Sequence, residues 1–364
     1  MAADHVMALE VVTADGRYVT ASPSSNPDLY WALRGGGGGT YGVTTSIIIR
    51  VHPKIPVVTS EFSFSTSPTV SFDTFWAGVR AYLELFIPFT DAGTYSWWTL
   101  FQGEDGSYSF EMDPFFAPNH TIESFNALVK PWFDRLAELG IPFDGPTGKP
   151  NTTQHSAFYP AYASTWGAEV ILNGAGRVSV PGNWIFPRRN WEDPTLFNST
   201  IAAMRQHITT PGVPFLFGYH QAPRNRANAD NAVSPAWRNA VAFFILSAVS
   251  LPTDPTPAQL KAVSNDLNNR VLPLFQSVAP VSAGGGSYLN EANVDFPDGE
   301  WQGAFYGVEN YKKLEKIKKK WDPFHVFYAT TAVGSEGWVV KDQDLEGMGG
   351  YQGVKGQNGR LCRI

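Results

Sequence analysis

Five consecutive glycines, Gly35–Gly39, lie between a predicted helix and a predicted strand, and they constrain the fold more than any other feature of the sequence. Before them, Pro27 and Asp28 give "NPDLYWALR" the start of a short helix, which the first glycine ends. After them, "YGVTTSIIIRV" is rich in β-branched residues and predicts a strand. Residues without a Cβ beside a strand indicate that something passes close to the backbone, either another part of the chain or a ligand.

The glycine run matches the dinucleotide-binding fingerprint by letter, since Gly37, Gly39 and Gly42 have the spacing G-x-G-x-x-G. That fingerprint requires a strand before the glycines and a helix after them, because the helix N-terminus binds the pyrophosphate. Here the helix comes first, so a Rossmann site is disfavoured. No Gly-Lys-Ser/Thr follows, which disfavours a Walker loop.

Composition excludes several classes of function. The chain has 364 residues, 43% of them hydrophobic and 14% aromatic, which is enough for a large core and for an aromatic pocket. A net charge of −6 gives no electrostatic case for binding nucleic acid or anionic membranes. The longest apolar run, residues 240–251, is too short to span a bilayer. The single cysteine, Cys362, and the scattered histidines and carboxylates predict no metal site.

The order of predicted elements favours an α+β fold in several parts. Residues 1–54 contain a hairpin turning at Asp15-Gly16, the short helix and the strand after the glycines. Residues 55–284 alternate long helices with strands of an antiparallel sheet. Residues 285–340 contain a lysine-rich helix, in which Leu314 and Ile317 are predicted to be buried and the lysines to face water. The glycine-rich tail, 341–364, is predicted to be loose.

Several stretches resemble the berberine-bridge-enzyme-like oxidoreductases, which have the vanillyl-alcohol-oxidase, PCMH-type FAD-binding domain. The stretches that carry the resemblance are "VVTADGRYVTAS", "NPDLYWALRGGGGGTYGVTTS", "SPAWRNA", "SYLNEAN" and "NYKKLEKIKKKWDPFHVF", and the final "NGRLCRI" is similar to the end of fungal members. Each match is modest, but they occur in the family's order. On this resemblance, residues 1–54 are the C-terminal part of the FAD domain, 55–284 the substrate domain, and 285–340 the berberine-like segment that returns to the FAD domain.

The resemblance implies a flavoenzyme that binds FAD, oxidises a small organic substrate by hydride transfer to the flavin, and passes electrons to molecular oxygen. It also implies that family members carry an upstream Gly-rich loop, with a histidine and often a cysteine bonded to the flavin, that this sequence does not contain. The alternative is a truncated, non-catalytic family member that does not hold FAD firmly; a ligand-binding module is a third reading, based on aromatic content alone. Full-length relatives are often secreted, but this chain shows no signal peptide, so localisation is left open.

The resemblance also implies the residues of the site. It places the cofactor against Gly36, Gly37, Gly38, Tyr41, Gly42, Val43 and Asn310. Glu291 and Tyr288 are the candidate bases, with a solvated surface carboxylate and core packing as the respective alternatives. Asn290 either orients substrate or caps a turn, and Asn310 either contacts the flavin or caps a helix. His220 is more typical of a core histidine than of a catalyst, and Trp97, Trp98 and Tyr219 are candidates for pocket walls or core.

Overall fold

The structure of the chain is a computed structural model that describes residues 1–143, 150–167, 180, 182–223, 229–252, 255–297, 299–341 and 360–364. All statements below concern these residues. Most of the predicted tail, 342–359, lies outside them.

Twelve strands and twelve α-helices are assigned in the described residues. The strands are β1 (Val6–Val12), β2 (Tyr18–Ala21), β3 (Val43–Ile49), β4 (Val57–Ser65), β5 (Tyr95–Gln102), β6 (Tyr108–Pro118), β7 (Asn151–His155), β8 (Gly182–Pro187), β9 (Phe215–His220), β10 (Ala240–Leu246), β11 (Trp338–Lys341) and β12 (Arg360–Arg363). The helices are α1 (Pro27–Leu33), α2 (Phe72–Leu83), α3 (Phe86–Asp91), α4 (Ile122–Glu138), α5 (Phe158–Thr165), α6 (Arg189–Glu192), α7 (Pro194–Ile208), α8 (Pro235–Arg238), α9 (Pro257–Asp266), α10 (Leu272–Val278), α11 (Trp301–Tyr306) and α12 (Val308–Trp321). A π-helical turn, Leu267–Val271, joins α9 to α10.

The N-terminal residues form a three-stranded antiparallel sheet in the order β2-β1-β3. The hairpin between β1 and β2 turns at Gly16, whose φ of +80° suits a residue without a side chain. All seven residues of β3 are exposed, including three consecutive isoleucines. An apolar surface of this kind is typical of regions that contact other protein segments.

A seven-stranded antiparallel sheet forms the middle of the chain, in the order β7-β4-β6-β5-β9-β10-β8. One face packs against α2, α4, α7 and α10, because alternate residues of β4, β5, β6 and β9 are buried toward this side. Trp98, Leu100, Leu216 and Phe244 belong to this core. The predicted α+β class with an antiparallel sheet is therefore confirmed, whereas the boundaries at residues 54, 284 and 340 stay a prediction.

The C-terminal segment returns to the first part of the chain, where α12 packs on α1. Leu314 and Ile317 of α12 are buried, as predicted. Lys318, however, is 1% exposed, so the prediction that the lysines of this helix face water is wrong at that position. The prediction of a loose tail is also wrong for its last residues, because β12 pairs with β11 through four residues of each strand.

Candidate active-site cleft

Two adjoining cavities form a cleft beside the glycine run. The first, here called the glycine cavity, has a volume of about 310 Å³ and is lined by Gly35, Gly37, Gly38, Asn290 and Tyr288, among others. The second, the glutamate cavity, has a volume of about 420 Å³ and contains Glu291. Three residues line both cavities: Met1, Trp237 and Tyr288. The structure thus brings together predicted residues from the glycine run and from "SYLNEAN", which are some 250 positions apart in sequence.

Part of the glycine run is explained by the protein's own packing. A Cβ on Gly35 would lie 2.3 Å from the Val233 backbone nitrogen, and one on Gly36 would lie 2.5 Å from a Leu314 methyl. A Cβ on Gly42 would lie 2.6 Å from a methyl of Val11. At these positions another chain segment makes the close approach, which was one of the two alternatives from the sequence.

The middle of the run is open. An added Cβ would meet no atom within 4 Å at Gly38 or Gly39, and at Gly37 it would stay at least 3.2 Å from its neighbours, the hydroxyl groups of Thr40 and Tyr306. Gly37 and Gly38 face the glycine cavity, so their backbone is accessible to a ligand. Packing within the protein therefore accounts for glycine at positions 35, 36 and 42, and the predicted cofactor contacts of Gly36, Gly37, Gly38 and Gly42 stay predictions.

We expect Gly35→Ala to lower the free energy of unfolding by about 1–3 kcal/mol, because the position combines a φ of +119° with the Val233 backbone at contact distance. Gly38→Ala is the matched control. Its Cβ meets open space and its φ lies outside the left-handed region, so stability should change by less than about 0.5 kcal/mol. Urea unfolding measures both, and equal stability of the two variants would contradict the packing described for Gly35.

The other predicted cofactor residues lie outside the lining of the two cavities. Tyr41 is fully buried, with no partner for its hydroxyl group, and burial raises the pKa of that phenol. Val43 is 53% exposed on β3. Asn310 donates its side-chain amide to the Val233 carbonyl at 3.2 Å, on the segment that packs against Gly35. Their contacts with a cofactor stay predictions.

Tyr288 is held in the cleft by a residue that the sequence did not single out. Asn183 of β8 is fully buried, and its side-chain oxygen accepts hydrogen bonds from the Ser287 hydroxyl at 2.9 Å and the Tyr288 backbone N–H at 2.6 Å. Its amide donates to the Tyr288 carbonyl at 3.0 Å. The Tyr288 hydroxyl accepts a hydrogen bond from Asn290 at 2.9 Å, so both residues are oriented toward one another.

The surroundings of Glu291 alter the proton affinity of its carboxyl group. It follows Tyr288 in a single 3₁₀ turn, and its Oε2 is buried without a hydrogen-bond partner. Burial raises the pKa of the carboxyl group above its ordinary value. Burial, and then the negative charge of Glu291, raises the pKa of Tyr219, which lines the same cavity. The alternative of a well-solvated surface carboxylate does not fit this environment.

His220 and Trp98 belong to the core. His220 is fully buried, with one ring nitrogen 2.8 Å from the Tyr82 hydroxyl and the other 3.0 Å from the Thr94 hydroxyl. Burial holds its pKa well below the ordinary value, so the ring is neutral. Trp98 is 0% exposed, whereas Trp97 is half-buried on the opposite face of the sheet. A catalytic role for His220 therefore has no geometric support.

A buried ion pair fixes the end of the glycine run. The Lys318 ammonium donates to the Asp322 carboxylate at 2.7 Å, to the Thr40 carbonyl at 2.6 Å and to the Phe327 carbonyl at 2.7 Å. Asp322, with a side chain that is 0% exposed, also accepts the backbone N–H groups of Val326 and Phe327. Both charges are fully hydrogen-bonded, which compensates for their removal from water.

A second ion pair connects the start of the chain to the segment "SPAWRNA". Arg238 donates two hydrogen bonds of 2.8 Å to the Asp4 carboxylate, which also accepts one from the Asn231 amide at 2.7 Å. Burial raises the pKa of Asp4, but these donors outweigh it and hold that pKa well below the ordinary value. The neighbouring Trp237 is thereby placed where the two cavities meet.

Comparisons with known proteins agree with this arrangement. Residues 287–334 match the family model "Berberine and berberine like". FAD-linked oxidoreductase patO of Aspergillus clavatus is 34% identical over 370 residues, covering all of this chain and 57% of that protein. The VAO-type flavoprotein oxidase VAO615 of Thermothelomyces thermophilus is 30% identical over 364 residues, again with 57% of its length covered.

Solved structures give the same result. The crystal structure of the VAO-type flavoprotein MtVAO615 from Myceliophthora thermophila C1 has a TM-score of 0.81 and 29% identity, covering all of this chain and 60% of that one. A carbohydrate oxidase from Microdochium nivale, 19% identical with a TM-score of 0.66 over 91% of this chain and 66% of that one, shares the fold.

The fold and the matched segments are those of flavoproteins of the vanillyl-alcohol-oxidase type. Within that class, the chain is similar to the berberine-bridge-enzyme-like FAD-linked oxidoreductases, as the sequence resemblance predicted. FAD is the cofactor of this family. The chain spans 57% of the length of both relatives named above.

The residues that the structure describes contain no helix that is long and apolar enough to cross a bilayer. They also contain no cluster of three or more histidine, cysteine, aspartate or glutamate side chains that could hold a metal ion.

Proposed function

We propose that this chain is an FAD-dependent oxidase of a small organic alcohol or phenol, with molecular oxygen as the electron acceptor. The observation that carries the proposal is the meeting of an open glycine backbone with a half-buried, unpartnered carboxylate in one cleft. Similarity to a family of FAD-linked oxidoreductases supplies the redox chemistry that these residues lack on their own.

The residues present fit a flavin in part of the cleft. Gly38 exposes backbone that no side chain covers, and Gly37 lines the same cavity, so a diphosphate or a flat ring is able to approach this backbone. Tyr288, Asn290 and Trp237 offer hydroxyl, amide and indole groups on the same walls. A bound FAD would supply the two-electron chemistry of the reaction, as an acceptor of hydride from the substrate carbon.

The chain's own contribution is to place the substrate and to take its proton. Glu291, with its raised pKa and free Oε2, is the proposed base for the substrate O–H. Tyr288 is the second candidate, and its hydroxyl group is oriented by Asn290. The aromatic rings of Tyr219, Phe243 and Trp237 exclude water around the carboxylate.

The alternative function is a family member that folds but does not hold FAD firmly. Flavin uptake separates the two. We expect the purified chain to take up added FAD, with the absorbance bands of a bound flavin remaining after gel filtration. A colourless protein that takes up no FAD would establish the alternative.

The glycine cavity gives this test a matched pair of variants. Gly38→Val places a branched side chain in the cavity, so FAD affinity should fall by about tenfold or more while the melting temperature stays within about 2 °C. Gly337→Val is the control, since Gly337 also has open space at its Cβ position and does not line the cleft. If Gly38→Val leaves FAD affinity unchanged, the cofactor does not bind in the glycine cavity.

A further inference from the structure

A row of aromatic side chains leads out of the glutamate cavity along the large sheet. It consists of Trp97 on β5, Phe217 and Tyr219 on β9, Phe243 on β10, and then Trp237 and Tyr288, and is called the aromatic strip below. In each strand the alternate residues, Trp98, Leu216 and Phe244, belong to the core. The aromatic strip therefore lies on the sheet face opposite the main core, where Phe243 and Trp237 are buried in a second, smaller apolar cluster.

The rings of the aromatic strip contact one another without a break. The ring centroids of Trp97 and Phe217 are 4.8 Å apart, and those of Trp97 and Tyr219 are 5.7 Å apart. From Tyr219 the row continues to Phe243 at 5.6 Å, and from Phe243 to Trp237 at 5.2 Å. Such distances are typical of attractive aromatic pairs, so the row forms one continuous apolar surface.

The aromatic strip joins the proposed reaction site directly. Tyr219, Phe243, Trp237 and Tyr288 line the cavity that contains Glu291, while Trp97 extends the row beyond that lining. Trp97 and Phe217 are half-buried, although they lie on the face that the core does not cover. A substrate whose reacting group lies at Glu291 would have its remaining rings against this surface.

The charges around the aromatic strip select against anions. On the same sheet face, Thr99 of β5 pairs with Glu111 of β6, and Asp113 lies two residues further along β6. Because Glu291 lies at the other end, an anionic ligand would be repelled from both ends of the strip.

The side chains of the strip also distinguish a flat ring from a sugar. Apart from one indole N–H, the side chains of Trp97, Phe217 and Phe243 carry no group that hydrogen-bonds. A carbohydrate can stack its C–H face on such rings, but the strip offers few partners for its hydroxyl groups, and leaving those unpaired costs free energy. A planar apolar ring has no hydroxyl groups, so its binding carries no such cost in free energy.

We infer that the aromatic strip is a subsite for a neutral, planar aromatic group of the substrate, held beyond the reacting atoms. The inference rests on the proposed function only for the statement that the bound molecule is a substrate. Binding to the strip itself requires no redox step.

The test is calorimetric titration of the whole chain, first alone and then with FAD added, with three probes. These are 2-naphthalenemethanol, which is neutral and flat, 2-naphthoate, which has the same rings and a negative charge, and cellobiose. We expect 2-naphthalenemethanol to bind, 2-naphthoate to bind about tenfold more weakly or worse, and cellobiose not to bind.

Trp97→Leu and Phe217→Leu should each weaken 2-naphthalenemethanol binding by about 3- to 10-fold, the range expected for one aromatic contact. Tyr18→Leu, at a tyrosine that is 65% exposed on β2, is the control and should leave affinity unchanged. Thermal melting shows whether each variant is folded. Because two strip variants are tested, the comparison is still possible if one of them does not fold.

The experiment distinguishes failure of the aromatic-strip inference from failure of the proposed oxidase function. The inference would be overturned if 2-naphthalenemethanol bound neither the chain alone nor the chain with FAD, or if the strip variants bound it as tightly as the wild type. Tighter binding of cellobiose than of 2-naphthalenemethanol would also overturn it. Failure to take up FAD while the naphthalene ring still binds at the strip would overturn the proposed oxidase function and leave the aromatic strip in place.

Discussion

Lys318→Met is expected to lower the free energy of unfolding by about 3–5 kcal/mol, which is the largest stability effect that the structure predicts. The substitution removes one partner of an ion pair whose two side chains are 1% and 0% exposed. Asp322 then keeps a buried negative charge with two backbone donors only, and the carbonyls of Thr40 and Phe327 lose their donor. Chemical denaturation with circular dichroism measures the change.

Lys319→Met is the matched control on the same helix. Lys319 is 67% exposed, and its pair with Glu315 is a solvent-accessible i,i+4 contact, so its loss should change stability by no more than about 0.5 kcal/mol. The double variant Lys318→Met/Asp322→Asn should recover part of the loss, because the uncompensated charge is removed and an acceptor for the backbone N–H groups is kept. If Lys318→Met lowers the free energy of unfolding no more than Lys319→Met does, the Lys318–Asp322 ion pair does not fix the end of the glycine run.

This ion pair shows what the sequence could not reveal. Lys318 and Asp322 have the i,i+4 spacing of an ordinary surface pair at the end of a lysine-rich helix, and the sequence therefore predicted a solvated face. Their burial depends on the Thr40 carbonyl, which is 278 residues away along the chain. Such a partner is set by tertiary packing, which local periodicity does not record.

Local elements were predictable because their signals are local. The Asp15-Gly16 turn, the proline at the start of α1 and the β-branched run of β3 each determine their own backbone conformation, and each occurs where predicted. The glycine run indicated a close approach but not its identity. The structure divides the run, since Gly35 and Gly36 meet protein atoms while Gly38 meets none.

The candidate site was predictable to the extent that short motifs mark it. "SYLNEAN" identified Tyr288 and Glu291, and the structure places both in one cleft with Gly37 and Gly38. Asn183 was missed because it lies in a buried strand, "GNWIFP", without a motif of its own. One signal was available, since an asparagine in an otherwise apolar strand requires polar partners when it is buried.

Glu291→Gln is expected to reduce the rate of substrate oxidation by about 100- to 10,000-fold in the FAD-loaded protein. Glutamine has nearly the same shape, so the cavity is kept, but its amide does not accept a proton from the substrate O–H at a useful rate. FAD affinity should be unchanged, because Glu291 lines the glutamate cavity and not the glycine cavity. Stopped-flow reduction of the flavin by an alcohol that the wild-type protein oxidises measures the rate.

The pH profile gives a second, independent readout. Glu291 must be ionised to act as a base, and burial raises its pKa above the ordinary value of 4.5, so the wild-type rate should rise with pH through that raised pKa. The rising limb should be absent in Glu291→Gln and retained in Glu309→Gln, whose carboxylate is 84% exposed. If Glu291→Gln keeps both the rate and the limb while Tyr288→Phe loses them, the proton acceptor is Tyr288. In that case the carboxylate of Glu291 makes no contribution to the reaction.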